Sequence, residues 1–235
     1  MKIIVFSAHP DDAETGTGGF CARASSLGYE VLIVHISKEV RGNKINNISE
    51  AKIRVAEAKE AAKILGVKVD FLDYYMGECA ATVESSKVID ELIRNNKPDI
   101  VLTQWPIDTH PDHQVVGILP IRSYIWHKKF CLGFYEVYTG IQTIDFQPNR
   151  YVDISNFIEQ KGKSILAHKS QKPEEQVKMH DKMSIYRGLE IRCKYAEAFH
   201  ILGGQVKTTF DELFDDVVFH QQSGGMEQLN FGKWK

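Results

Sequence analysis

At 235 residues the chain is long enough for one large domain with a buried core. With 43% hydrophobic and 26% charged residues and a net charge of −2, it lacks the basic excess that a nucleic-acid backbone attracts. Four scattered cysteines without a CxxC pair argue against a disulfide framework or a cysteine zinc site, and the apolar start is too short for a signal core or membrane span, so the expected location is the cytoplasm, with no membrane partner.

Ile3–Ser7 reads as a short, continuously apolar strand, the kind buried on both faces of a parallel sheet. Gly16, Gly18 and Gly19 follow, then a helix to about Ser26 with Gly28 as its stop. Val31–Ile36 predicts a second strand. Asn47 and Glu50 resemble a capping box, and the helix they open sets Ile53, Ala61, Ile64 and Leu65 on one face before Gly66. Val67–Leu72 predicts a third strand. A helix carrying Val88, Ile89, Leu92 and Ile93 at i, i+3 and i+4 spacing stops before Pro98, and Ile100–Gln104 forms a fourth strand. Phe134–Thr139 and Tyr151–Ile154 read as further strands, Ser155–His168 and Glu174–Tyr195 as helices. The alternation predicts an α/β protein: a Rossmann-like, open, mostly parallel sheet flanked by helices and joined by right-handed crossovers. One domain over residues 1–202 is expected, with 203–235 an extension whose pattern assigns no element.

Two hydrophilic clusters interrupt this pattern. His9-Pro10-Asp11-Asp12 directly follows the first strand, and His110-Pro111-Asp112-His113 lies a few residues past the fourth. In open α/β sheets ligands bind beyond the carboxyl ends of strands, where the strand order reverses. An order 3-2-1-4 makes strands one and four neighbours and turns the two clusters toward one crevice. Imidazoles and a carboxylate suit zinc, and a catalytic zinc site uses three protein ligands and an open position. His9, His113 and one of Asp11 or Asp12 supply that set, and residue type alone leaves the choice between the aspartates open. Amide hydrolysis also needs a base, a stabilised oxyanion and a proton for the departing amine. The second aspartate and His110, hydrogen-bonded to Asp112, are candidates for those roles.

Taken singly, each cluster reads as an ordinary turn or helix cap; a pair after two parallel-type strands does not. Of the other histidines, His35 is expected to pack within its strand, and His127, His180 and His220 to lie on the surface. The glycines at 16, 18 and 19 resemble a dinucleotide fingerprint, but Cys21 stands where a third glycine belongs, so close helix–sheet packing explains them better.

Ala8-His-Pro-Asp-Asp-Ala-Glu-Thr-Gly-Thr-Gly-Gly19 and His110-Pro-Asp-His113 resemble the two signature motifs of the LmbE/PIG-L deacetylases. The similarity continues through Arg54-x-x-Glu57-x-x-x-Ala61-Ala62-x-x-Leu65-Gly66, Tyr151-Val-Asp-Ile-Ser155, His168-Lys-Ser-Gln171, Arg187-Gly188 and Tyr195-Ala-Glu-Ala-Phe199. The late pattern is most similar to the branch acting on N-acetylglucosaminyl-malate in bacillithiol synthesis, with relatives acting on N-acetylglucosamine or chitobiose. The resemblance implies that His9, Asp12 and His113 bind zinc, that Asp11 is the general base, and that His110, oriented by Asp112, stabilises charge and protonates the amine. It implies substrate contacts for Arg54 and Tyr195, although Arg54 equally suits pairing with Glu50 or Glu57 on its own helix. It further implies an amino-sugar substrate and a homo-oligomer, trimer or hexamer. Val40-Arg41-Gly42-Asn43-Lys44 departs from the family pattern, in which an acidic residue follows Arg-Gly. The metal is expected to be zinc, with ferrous iron tolerated by the same ligands. Two other readings compete: an amidase for a larger acyl group such as a thiol conjugate, and a metal-binding protein without turnover.

Overall fold

A computed structural model describes residues 1–38, 48–202 and 213–214. The Asn47 cap, the Val40–Lys44 departure and nearly all of 203–235 lie outside the described residues; the helix expected to open at Asn47 is described from Ile48 and buries Ala61 and Leu65 but leaves Ile53 51% exposed, and of the last segment Leu213 and Phe214 are described, buried against Phe20 and Phe199.

The sheet has seven strands, β1 (Lys2–Ser7), β2 (Glu30–Ser37), β3 (Lys68–Tyr74), β4 (Ile100–Gln104), β5 (Cys131–Tyr135), β6 (Arg150–Asp153) and β7 (Ala196–Ile201), in the order β3-β2-β1-β4-β5-β7-β6. The five strands from β3 to β5 are parallel, and β7 runs antiparallel between β5 and β6. Alternate side chains of β1 serve opposite cores: Ile3 and Val5 join Phe20, Ile33 and Phe199, while Ile4 and Phe6 join Val34, Ile89 and Val101. Both faces must be covered, which is why β1 and β4 read as unbroken apolar runs rather than alternating ones. Helices α1 (Asp12–Ser26), α2 (Ile48–Leu65), α5 (Ile158–Leu166) and α6 (Pro173–Ile191) pack together on one side; α3 (Val83–Asn96) and α4 (Pro111–His127) pair on the other. The change of side follows from right-handed crossovers: from β3 the chain passes beyond β1 to reach β4, reversing the direction of sheet growth.

The expected order 3-2-1-4 is present, and three elements differ from expectation. Helix α4 has no counterpart in the sequence pattern, because Gly117 and Pro120 interrupt it; Gly117 is needed where a Cβ would lie 2.6 Å from the Gln104 carbonyl. The strand expected at Phe134–Thr139 is β5, which ends at Tyr135, the last residue paired with β4. The helix expected to reach Tyr195 stops at Ile191, with Arg192 left-handed at φ 61°, and the chain returns as β7.

Candidate metal centre

β1 and β4 are hydrogen-bonded neighbours from Ile3↔Ile100 to Val5↔Leu102, so the loops that leave their carboxyl ends emerge side by side. Gln104 joins them, its Oε1 accepting from the Ala8 amide at 2.9 Å. The first loop turns sharply through Asp11, whose φ of 115° lies in a region that non-glycine residues rarely adopt. Although Asp11 occupies the N-cap of α1, its carboxylate makes no capping bond, which leaves that side chain to the crevice. The second loop enters α4 through His110 as N-cap, its Nδ1 accepting from the Asp112 amide at 3.2 Å, with Pro111 pre-set for the first helical turn.

Asp12 Oδ2 lies 3.2 Å from His9 Nδ1 and 3.2 Å from His113 Nε2. A tetrahedral metal with bonds of about 2.0–2.1 Å separates neighbouring ligand atoms by about 3.3 Å, so Asp12 Oδ2 stands at coordination spacing from both nitrogens. His110 adjoins them: its ring stacks on His113 at 4.8 Å and meets His9 edge-on at 4.6 Å, and the donor nitrogens of the three histidines lie within 4.8 Å of one another. The outward nitrogens of the two inner histidines are held by carboxylates, His9 Nε2 by Asp112 Oδ2 at 2.9 Å and His113 Nδ1 by Asp108 Oδ2 at 3.3 Å. Such carboxylate–imidazole pairs fix the ring and raise its basicity as a metal ligand.

Electrostatics favour positive charge at the centre. Burial disfavours a charged His9, but Asp112 and Asp12 outweigh it and lift its pKa to about 9. Burial likewise opposes charge on His113, and Asp12 and Asp108 carry it to about 9. Burial pushes Asp12 upward, yet His113 and His9 hold it well below the ordinary carboxylate range. Asp11 is raised, chiefly by burial, with Arg54 opposing. His110 is lowered by burial and by the charge of His9 and His113 beside it. The residues thus fit a divalent cation: converging nitrogen and oxygen donors inside a ring of carboxylates.

The predicted residues divide as follows. His9, Asp11, Asp12, His110, Asp112 and His113 come together as expected. The expected orientation of His110 by the Asp112 carboxylate is replaced by another arrangement. That carboxylate accepts from His9 and from the Gly77 amide at 2.9 Å, and Asp112 meets His110 through its backbone amide. Arg54 is buried, donates to the Pro10 carbonyl and sits 3.6 Å from Asp11 Oδ1, while Glu57 accepts from Ser170. The Tyr195 backbone is tied to the loop after β6, its amide donating to Ser155 Oγ and its carbonyl accepting from Ile154. His35 is buried as expected, but His180, expected on the surface, is 2% exposed. Gly16 and Gly19 do serve close packing, since a Cβ would meet the Glu136 carbonyl at 2.8 Å and Ile154 at 2.6 Å respectively.

Several residues of the site carried no sequence argument. Asp108 accepts from the His110 amide at 2.7 Å and from Thr143 Oγ1 at 3.1 Å besides facing His113; its place two residues before the second cluster was the one signal in the sequence. Gln142 brings its amide nitrogen 2.8 Å from His113 Nδ1, and Gln176 donates to Asp11 Oδ2 at 3.2 Å. Behind Asp12, Glu14 Oε1 lies 3.5 Å from His168 Nε2 and 3.9 Å from His35 Nε2, all fully buried.

A model of the PIG-L family, described as GlcNAc-PI de-N-acetylase, matches residues 4–122. The diacetylchitobiose deacetylase of Thermococcus kodakarensis is 30% identical over 223 residues, spanning 86% of this chain and 84% of its own. Among solved structures, N,N'-diacetylchitobiose deacetylase from Pyrococcus horikoshii is similar with a TM-score of 0.74 at 27% identity, over 86% of this chain and 83% of that one. The 4-carboxy-2-hydroxymuconate hydratase from Pseudomonas putida shares the fold with a TM-score of 0.76 at 21% identity, over 88% and 98%.

Proposed function

From the premise that the chain belongs to the PIG-L de-N-acetylase family, we propose that it is a zinc-dependent hydrolase that removes the acetyl group from an N-acetylglucosamine-type amide. The observation that carries the reading is that Asp12 Oδ2 stands at coordination spacing from both His9 Nδ1 and His113 Nε2, beside a carboxylate outside that set, Asp11. A structural zinc site is closed by four protein ligands and needs no spare acid or base; this crevice has both.

His9, Asp12 and His113 would hold the metal, which when bound lowers the pKa of water to about 7 and polarises a carbonyl. Asp112 and Asp108 fix the rings of His9 and His113 so that both inner nitrogens face Asp12. Asp11, made more basic by burial, takes the proton of the attacking water. Arg54 and Gln176 flank its two carboxylate oxygens and set their direction. His110, against both inner histidines and with its Nδ1 accepting from the Asp112 amide, offers its Nε2–H to the developing oxyanion, and Asp11 passes the proton taken from water to the departing amine.

The substrate class follows the diacetylchitobiose deacetylases that the chain resembles. Four thiols without a disulfide suit a reducing compartment such as the cytoplasm. Exposed Ile125 and Trp126 on α4, with Tyr186 and Leu189 on α6, support self-association as a homo-oligomer, which light scattering reads directly. The deciding assay is release of free amine from N-acetylglucosamine, its malate conjugate and chitobiose by zinc-loaded protein, beside chelated protein and His113→Ala. Metal-dependent release that disappears in the variant supports the reading. Stoichiometric zinc with no release from any of the three overturns it, in favour of a bulkier amide or a site without turnover.

A further inference from the structure

Asp11 is held from outside both loop motifs. Its Oδ1 faces Arg54 of α2, and its Oδ2 accepts a hydrogen bond from Gln176 Nε2 in the first turn of α6. The carboxylate makes no capping contact with its own helix. The backbone there is already at φ 115°, so the side chain's direction rests on what grips it from across the crevice.

Gln176 is itself fixed. Its amide nitrogen makes a second hydrogen bond, 3.3 Å to the Gln171 carbonyl, so both hydrogens are spoken for and the nitrogen must face Asp11. Its Oε1 has no hydrogen-bond partner among the described residues and is shielded from solvent, so nothing there pulls the amide the other way. Gln171 closes the short turn Lys169–Gln171, and Ser170 in that turn donates both its amide, at 2.8 Å, and its hydroxyl, at 2.6 Å, to Glu57 of α2. A continuous path therefore runs from Glu57 through Ser170, Gln171 and Gln176 to Asp11. It ends on the same carboxylate that Arg54, one helical turn before Glu57, reaches directly.

We propose that Gln176 is a positioning residue for Asp11, holding the carboxylate toward the water it deprotonates, with the Glu57–Ser170 contact as its anchor. The inference rests on the reading of Asp11 as general base. A neutral donor fits here because it orients the acceptor without the charge that a second cation would add beside Arg54. Removing it frees the carboxylate to rotate, and a displacement on the order of 1 Å at a reacting group costs about a hundredfold in rate.

The test compares Gln176→Met, which keeps volume and loses the donor, with Gln176→Glu, which keeps volume and sets a carboxylate against Asp11. Zinc-loaded protein is assayed for kcat and KM on the best amide substrate, with bound zinc and melting temperature measured in parallel, and Asp11→Asn as reference. Expected are a kcat lower by about ten- to a hundredfold in Gln176→Met, a larger loss in Gln176→Glu, KM within about twofold, and full zinc in both. A crystal structure of Gln176→Met should show the Asp11 carboxylate turned from its present direction. Wild-type kcat in Gln176→Met beside an inactive Asp11→Asn overturns the positioning role while leaving the base assignment standing. A raised KM at unchanged kcat overturns it in favour of a substrate contact. An active Asp11→Asn overturns the base assignment and the inference with it.

Discussion

Replacing Asp108 by alanine probes whether the ring of carboxylates is part of the metal centre or only ties a turn together. The Asp108 carboxylate sets Oδ2 3.3 Å from His113 Nδ1, accepts from the His110 amide at 2.7 Å through Oδ1, and accepts from Thr143 Oγ1 at 3.1 Å through Oδ2. Losing the outer partner of a metal-bound imidazole lowers metal affinity by about 10- to 100-fold, or about 1.4–2.7 kcal/mol. The two donors left without an acceptor destabilise the fold by about 1–3 kcal/mol each. Proton competition acts in the opposite direction. Asp108 is one of the groups that raise His113 to about 9, and a ligand must shed its proton before metal binds, so removing Asp108 eases that competition at neutral pH. The net affinity loss should therefore be smaller at pH 7 than at pH 9, where His113 titrates and the loss of its outer carboxylate dominates. Competition with a calibrated chelator at both pH values measures it. Asp108→Asn separates the effects, since it keeps an acceptor for the His110 amide but no charge against His113. Both variants should lose affinity, and alanine should lose more stability. Unchanged zinc affinity at both pH values, with only a lower melting temperature, would refute the assignment of Asp108 as the support of a metal ligand.

Asp11→Asn should retain one zinc per chain and lose about 10²- to 10⁴-fold in kcat, because only the proton acceptor is removed; loss of metal, measured by emission spectrometry, would make Asp11 a ligand instead. The share of stability that rests on His35 should fall between pH 7 and pH 5, against the opposite contribution of His9 and His113, which are raised in the folded state. His35 is fully buried and burial pushes it down to about 4, whereas an unfolded histidine protonates near 6.5. The unfolded state therefore binds more protons at that site below about pH 6.5, which costs the native state about 2 kcal/mol by pH 5, and a His35→Gln variant should lack this share of the dependence in urea titrations. Gly16→Ala forces a Cβ to within 2.8 Å of the Glu136 carbonyl, and should lower stability by about 1–3 kcal/mol in the same titrations. Chelation should lower the melting temperature, because a cation that binds only the folded protein stabilises it, and its removal leaves the inner nitrogens of His9 and His113 facing Asp12 alone.

What could be read in the sequence and what could not divide along one physical line. The two clusters of the candidate site are legible because each is contiguous, His9 to Asp12 and His110 to His113, although residue type does not choose between Asp11 and Asp12 as a ligand. Alternation of strands and helices makes a parallel sheet legible, while the adjacency of β1 and β4 is conditional on the order 3-2-1-4, which the structure has. The supports were not legible, because each is a tertiary contact between polar residues that have no period. Gln176 reaches Asp11 across 165 positions and Gln142 reaches His113 across 29. His180 shows why. On α6 the buried residues are Pro173, His180, Ser184, Arg187 and Gly188, a face of nearly correct helical spacing with almost no hydrophobic member. Apolar periodicity alone places that face in solvent and sends His180 to the surface with it.

The polar face has its counterpart across the interface. Arg187 forms a two-pronged hydrogen-bonded pair with buried Glu136, at 2.6 and 2.9 Å, and Lys161 of α5 donates to buried Glu197 at 2.7 Å. Glu197 in turn accepts from the amides of Gly19 and Phe20 in α1. The helix that begins with Asp12 is thus tied to β7 and α5 by charge and hydrogen bonds more than by apolar packing along that side. Breaking one such partner leaves its mate buried and uncompensated, at about 3–5 kcal/mol. That steep dependence restricts movement of α1 along its length, since Asp12 opens the helix and Glu197 grips its middle. A metal site whose ligands must stay within a few tenths of an ångström of coordination spacing benefits from this rigidity. Glu197→Gln should therefore weaken zinc binding without touching any ligand, and an affinity equal to that of the wild-type protein would show that α1 is held by its apolar contacts alone.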